Sequence, residues 1–146
     1  MTGILIVRQP HTKKELEDMY DLRWRILRKP WKQPKGSEKD NTEDNSMKFI
    51  ALLNDNIIGT ARFHKINDRV GQIRYLCVDK LFQNKKVGCN LLSAIQMTAR
   101  NQRMRYIILN SRESAREFFE KQGYEVIEDG PVLFGLIKHF KMKKRL

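Results

Sequence analysis

The residues best placed to do chemistry run from Val78 through Asp79-Lys80-Leu81-Phe82-Gln83-Asn84-Lys85-Lys86-Val87-Gly88-Cys89-Asn90 to Leu92, where an apolar strand leaves through a basic loop into a helix start. The first N–H groups of a helix lack intrahelical partners and carry a partial positive charge, so a phosphate there meets donors and field together. Gly88 lets backbone and phosphate approach closely. The same residues also read as a solvated basic turn, and spacing alone leaves both readings open. Cys89 falls where a helix N-terminus depresses a thiol pKa, but no histidine pattern accompanies it, so it reads as packing. Cys77 and Cys89 have neither the spacing of a zinc site nor the number of a disulfide framework. A reduced, cytoplasmic setting and no metal are expected.

The elements that must position this loop follow from periodicity. Ile4 to Val7 is a short strand closed by Gln9-Pro10. Thr12-Lys13-Lys14-Glu15 is a capping box, and Leu16, Tyr20, Trp24 and Leu27 recur at helical spacing, which predicts a helix over residues 13–28 stopped by Lys29-Pro30. Residues 30–47 are polar, with two prolines and a glycine, and read as a long loop of the kind that carries function. Residues 49–53, 57–63 and 72–78, separated by Asn54-Asp55-Asn56 and Asn67-Asp68-Arg69, form a three-strand antiparallel meander. Leu91, Leu92, Ile95 and Ala99 share a helical face; Tyr106 to Leu109 is a strand; Ser111 opens a third helix that ends at Gly123. Strands at 124–127 and 132–142 close the chain around a turn at Glu128-Asp129-Gly130-Pro131. The order is that of an α/β (α+β) layered domain, a mixed sheet covered by helices, spanning residues 1–146 as one unit. Its 72–109 portion is a crossover, so those two strands run parallel.

Charge narrows the partner. The chain has 146 residues with 29 Lys and Arg against 17 Asp and Glu, a formal charge of +12. A field of that sign favours an anionic partner. With 40% hydrophobic and 32% charged residues, disorder and low complexity are excluded. The apolar N-terminal run is too short for a signal peptide or a membrane span. The basic residues extend from Lys13 to Arg145, including a basic tail of Lys138, Lys141, Lys143, Lys144 and Arg145. A nucleic-acid-binding module is therefore an alternative, against which stands the absence of an aromatic-interleaved or helix-turn-helix motif.

Three blocks in order resemble the GNAT superfamily of acyl-CoA-dependent N-acetyltransferases over nearly the whole chain. They are Gln83-Asn84-Lys85-Lys86-Val87-Gly88 after the strand Ile73 to Val78, the segment from Asn110 through Ala115-Arg116-Glu117-Phe118-Phe119-Glu120-Lys121 to Gly123-Tyr124, and Arg23-Trp24-Arg25-Ile26-Leu27-Arg28-Lys29-Pro30. The resemblance implies a mostly antiparallel sheet of six to seven strands, splayed between the fourth and fifth, with helices on both faces. It implies acetyl-CoA as cosubstrate, CoA as product, and direct attack by a primary amine in a ternary complex. Leu76, Cys77 and Val78 would hold the pantetheine arm; Gln83, Asn84, Lys85, Lys86, Val87, Gly88 and Cys89 the pyrophosphate; Asn110, Ala115 and Phe119 the rest of the cofactor. A homodimer is compatible with the resemblance, and the acceptor amine is left open.

Two positions depart from the family pattern. Lys86 stands where the first loop glycine is usual, so a left-handed backbone there would cost about 1–2 kcal/mol, which a lysine–phosphate contact would offset. Its alternative is a solvent-facing charge. Phe119 occupies the position of the usual tyrosine acid and has no proton to give, which also makes a catalytically weak acyl-CoA sensor an alternative. Candidate bases are His139, Glu38 and Asp40, with His64, Glu43 and Asp44 behind them; histidine titrates near neutrality, and residues 30–47 border the acceptor in the family. Arg62 and Arg74, on neighbouring strands, would either hold an acceptor anion or pair with a loop acid. Trp24 reads as core, and Trp31 as a wall of the acceptor pocket.

Overall fold

The computed structural model describes residues 3–146. Seven strands, β1 (Leu5–Arg8), β2 (Met47–Leu53), β3 (Asn56–Lys65), β4 (Val70–Val78), β5 (Tyr106–Arg112), β6 (Glu125–Leu133) and β7 (Ile137–Arg145), form one sheet in the order β1-β2-β3-β4-β5-β7-β6. Helices α1 (Lys13–Leu27), α2 (Val87–Asn101) and α3 (Arg116–Lys121) flank it. Pairing is antiparallel at β1–β2, β2–β3, β5–β7 and β6–β7 and parallel at β4–β5, as the crossover requires.

The chain divides into two compact units, one of residues up to His64 with Tyr75–Ile95, the other of Lys65–Arg74 with Gln96–Leu146. In the first, Met19 of α1 packs on Ile50 and Leu52 of β2, with Leu16, Tyr20 and Ile57 around them. Thr12 caps α1, its Oγ1 accepting from the Glu15 amide at 3.1 Å. Glu15 accepts from the His11 amide and from Arg8, and these bonds lower its carboxyl to about 2. In the second unit Ile107, Leu109, Phe119, Tyr124 and Met142 are buried. Phe119 stacks edge-to-face on Phe118 and on Tyr124.

Three boundaries differ from the sequence expectation. Strand β5 continues to Arg112, because Asn110, Ser111 and Arg112 find ladder partners in Lys141, Phe140 and His139. Tertiary pairing thus overrides the local helix signal at Ser111, and α3 begins only at Arg116 after a 3-10 turn. The last hairpin turns at Phe134–Leu136 rather than at residues 128–131: Phe134 and Gly135 take the positive φ of 54° and 68° that a tight hairpin demands. Gly130 and Pro131 are absorbed as a register irregularity in β6, an edge strand, where a missing donor is tolerated. The basic tail is therefore strand β7. The long loop holds two 3-10 turns, Lys29–Trp31 and Glu43–Asn45.

Candidate functional site

In the first unit the end of β4, the following loop and the start of α2 form one continuous structure. Asp79 donates its N–H to the Ile58 carbonyl at 2.8 Å and caps the next turn through Leu81 N. Gln83 donates its side-chain amide back to the Val78 carbonyl at 3.1 Å. The start of α2 sits tightly on β3, because a Cβ on Gly59 would lie 2.9 Å from Val87 Cγ1 and 3.2 Å from Leu91 Cδ1. Gly59 thus sets how close the helix N-terminus comes to the sheet.

Residues Gln83 to Lys86 are all exposed, and two of them have left-handed backbone, Asn84 at φ 62° and Lys86 at φ 65°. Alternation of this kind turns successive N–H groups into a concavity suited to anions. Asn90 holds the Lys86 carbonyl with both its N–H and its side-chain amide, at 3.0 and 2.8 Å. A lysine at a left-handed position carries a penalty of about 1–2 kcal/mol that a glycine would not. These residues fit a pyrophosphate: exposed amides, a helix N-terminus and the Lys85 and Lys86 ammonium groups lie on the same short segment.

A second charged cluster in the same unit is closed rather than open. Arg62 is fully buried on β3 and donates to both carboxylate oxygens of Asp40, at 2.6 and 3.0 Å, and to Glu43 and Thr42. Arg23, also fully buried, donates to Glu43 at 2.8 Å and to the Glu38 carbonyl at 3.2 Å. Of the two readings for Arg62, pairing with loop acids is the one realised. Burial alone would raise the Asp40 pKa, but the hydrogen bonds from Arg62 and Thr42 outweigh it and hold the carboxyl well below the usual carboxylate range. An acid held this way is a weak proton acceptor. Glu38 is buried and accepts from the Gly36 amide. Burial and the nearby Glu43 carboxylate push the Tyr20 phenol up to about 12.

Sequence reasoning overlooked Tyr75. It has φ 56° in the middle of β4, a conformation that costs a non-glycine residue about 1–3 kcal/mol and persists only where the surroundings impose it. No turn residue announces it. Arg23 did leave a signal, since it is a charged residue on the helical face that carries Leu16, Tyr20 and Leu27.

In the second unit Asn110 is exposed on β5 and Ala115 half-buried in the turn before α3. Phe119 is 6% exposed within its aromatic cluster. His139 is buried on β7 and its Nδ1 lies 3.0 Å from the Ile137 carbonyl. A carbonyl only accepts, so Nδ1 carries the proton and, in the neutral ring, the lone pair is on Nε2. The Tyr124 phenol accepts from Gln96, and burial pushes it up to about 12. Back in the first unit, His64 is half-buried on β3. Trp24 is only half-buried, donating to the Gln33 carbonyl.

Two cavities border α1 in the first unit. One, of about 500 Å³, is lined by Arg25, Ile26, Lys29, Pro30, Asp79 and Lys80. The other, of about 240 Å³, has Tyr20 and Trp24 with Glu17, Asp21 and Glu38 and the lysines Lys35 and Lys39. Among the described residues no group of three His, Cys, Asp or Glu side chains gathers as a metal site, and no helix is long and apolar enough to cross a membrane.

Known proteins resemble this chain in sequence and in fold. The Acetyltransferase (GNAT) family model matches residues 16–124. The chain is 26% identical over 132 residues to the uncharacterized N-acetyltransferase YjcF of Bacillus subtilis strain 168, covering 90% of this chain and 94% of that one. An acetyltransferase of the GNAT family from Staphylococcus aureus Mu50 superposes with a TM-score of 0.82 at 21% identity, over 98% of this chain and 99% of that one. A GNAT family acetyltransferase from Elizabethkingia anophelis, solved with acetyl-CoA bound, superposes with a TM-score of 0.77 at 15% identity, over 97% of this chain and 98% of that one. The chain belongs to the GNAT acetyltransferase family, whose cosubstrate is acetyl-CoA.

Proposed function

We propose that this protein is an N-acetyltransferase that moves the acetyl group of acetyl-CoA to a primary amine by direct attack in a ternary complex. The observation that carries this reading is the exposed Gln83–Lys86 loop, left-handed at Asn84 and Lys86, running into the α2 N-terminus that Gly59 holds against β3. Amides from Asn84 to Cys89 bind the pyrophosphate, with the Lys85 and Lys86 ammonium groups beside them. The backbone of Leu76 and Val78, with Cys77 between, receives the pantetheine arm; Asn110 offers a side-chain amide to the cofactor, and Ala115 and Phe119 an apolar contact.

The amine attacks the thioester carbonyl, a C–N bond forms, and a β4 amide steadies the developing oxyanion. The C–S bond then breaks, sulfur leaves with the electron pair, and the new amide nitrogen gives up its excess proton to water, from which the thiolate can recover it. The attacking amine must first shed a proton, and His139 is the base we favour, through Nε2 directly or by way of water. Asp40 is less suited because Arg62 holds it ionised, and Glu38 because it is buried on the Gly36 amide. Phe119 supplies no proton to the departing sulfur. A thiol of ordinary pKa, about 8.5, gives a tolerable leaving thiolate at neutral pH even so.

Acetyl-CoA titrated calorimetrically, followed by thiol release with amines of differing charge, tests this. Binding with amine-dependent release of CoA is expected, and His139→Gln is expected to lower kcat by about 10²- to 10⁴-fold with acetyl-CoA affinity unaltered. Absence of binding overturns the reading, whereas binding without transfer to any amine favours the acyl-CoA sensor, which Phe119 makes the second reading.

A further inference from the structure

Strand β4 contains a left-handed residue that its own sequence does not call for. Its registered pairing with β5 runs from Val70↔Tyr106 to Ile73↔Leu109, and two residues further on Tyr75 takes φ 56°. A left-handed residue in a strand turns the following peptide groups out of the regular ladder, which is how bulges beside active sites re-aim a chain. Glycine or asparagine would do this cheaply; tyrosine does it only if held.

Three guanidinium groups surround its ring as a cage. The Arg23 Cζ lies 4.6 Å from the Tyr75 ring centroid, that of Arg62 5.0 Å and that of Arg28 5.6 Å. Arg23 stands 5.1 Å from the Tyr20 ring as well, so ring faces flank a guanidinium whose Nε and Nη2 have no hydrogen-bond partner. Cations over ring faces are attracted most strongly where water is excluded, and Arg23 and Arg62 are fully buried. Each arginine is in turn fixed by residues 37–43: Arg23 by Glu38 and Glu43, Arg62 by Asp40, Thr42 and Glu43, and Arg28 by the Ser37 carbonyl at 3.0 Å. The Tyr75 hydroxyl also reaches Asp40, at 3.4 Å.

We propose that Tyr75 is a positioning residue for acetyl transfer: the cage of Arg23, Arg28 and Arg62 keeps β4 kinked so that the Leu76–Val78 backbone faces the cofactor, and residues 37–43 set that kink by holding the cage. The long loop and the cofactor strand are then one device, in which disturbing the loop acids loosens the thioester-binding backbone without touching it. This rests on the acetyl-CoA reading given above.

The test compares Tyr75→Phe, Tyr75→Gly and Asp40→Asn in the full chain, by amide hydrogen exchange of Leu76–Val78 without ligand and by acetyl-CoA affinity. Tyr75→Phe keeps the ring and is expected within about twofold of wild type in both. Tyr75→Gly keeps access to the left-handed backbone but removes the ring; exchange of Leu76–Val78 is expected to quicken at least about tenfold while Ile50–Leu52 stay protected, with a matching rise in Kd and in KM that exceeds the fall in kcat. Asp40→Asn is expected to move the same amides in the same direction by a smaller factor. Unchanged exchange and Kd in a folded Tyr75→Gly protein, or an Asp40→Asn effect spread evenly over the sheet, overturn the role of Tyr75. A wild-type protein that binds no acetyl-CoA overturns the acetyltransferase reading instead, and the two failures are told apart because exchange is read without ligand.

Discussion

Two stretches of this chain are both basic in sequence and differ in how their lysines are engaged. Lys80, Lys85 and Lys86 in the loop after β4 stand exposed around a helix N-terminus. On β7, the lysines are occupied within the molecule: Lys138 lies over the Phe140 ring at 4.9 Å, Lys143 over the Tyr106 ring at 3.9 Å, Lys141 pairs with Glu128 at 3.3 Å, and Lys144 donates to the Gln122 carbonyl at 2.7 Å. Formal charge cannot distinguish them, because it counts protons and not neighbours. An ammonium already resting on a ring or a carbonyl must give up that contact to meet a ligand, whereas an exposed one gives up only water. The contrast favours the loop over β7 as the place for the anionic cofactor proposed above.

The largest effect expected from this contrast is on cofactor affinity. Reversing both loop charges, Lys85→Glu with Lys86→Glu, should weaken acetyl-CoA binding about 10- to 100-fold, the range for losing one charge-assisted bond of about 1.5–3 kcal/mol. Lys141→Glu with Lys143→Glu should leave Kd within about twofold, since those charges already contact Glu128 and Tyr106. Calorimetric titration at two salt concentrations reads both; equal losses in the two variants would mean that overall charge, and not placement, attracts the cofactor.

Next in size is the packing that presents the loop. Gly59→Val places methyl groups where even a Cβ would lie 2.9 Å from Val87. Overpacking of this kind is expected to destabilise by about 1–3 kcal/mol. The start of α2 must also shift, so thermal melting and acetyl-CoA affinity should fall together. Lowered stability with unaltered affinity would show that the helix N-terminus does not hold the pyrophosphate.

A smaller effect isolates the backbone from the charge. Lys86→Gly relieves the left-handed penalty of about 1–2 kcal/mol against an added chain-entropy loss of about 0.5–1 kcal/mol. Stability should therefore rise by up to about 1.5 kcal/mol while acetyl-CoA binds more weakly and with a shallower salt dependence. A gain in both would mean that the lysine is a solvent-facing charge.

These variants also mark where the sequence was readable. The crossover, the loop and the helix start could be read because period and composition change at Val78 and again at Gly88, and local signals sufficed. Thr12 and Glu15 announced α1 for the same reason. Residues 30–47 could be recognised as a loop, but nothing local says that Asp40 and Glu43 fold back onto Arg62 and Arg23, since those partners lie 19 to 22 positions away in sequence. The kink at Tyr75 is invisible for a deeper reason: its cause is the cage of guanidinium groups and not the residue. At the last hairpin Gly130-Pro131 gave a turn signal that was locally sound, yet an edge strand can carry both residues, and Phe134-Gly135 makes the turn instead.

The smallest effect tests the other half of the contrast. Burial, with a further contribution from Arg100, lowers the Lys144 pKa below the ordinary lysine value. Between that lowered value and the unfolded value near 10.4, the unfolded chain binds more protons than the folded one, so folding stability rises with pH across this interval. The gain is complete above the unfolded value and is lost as pH falls through the folded one. Because Lys144 is only partly buried, the change amounts to a fraction of a kcal/mol, and it must be read as a difference. Melting temperatures of wild type and Lys144→Gln, compared at steps from neutral pH to about pH 10, are expected to diverge in favour of wild type at the alkaline end. Parallel curves would place the Lys144 ammonium in solvent, and β7 would then be as open to an anionic partner as the loop.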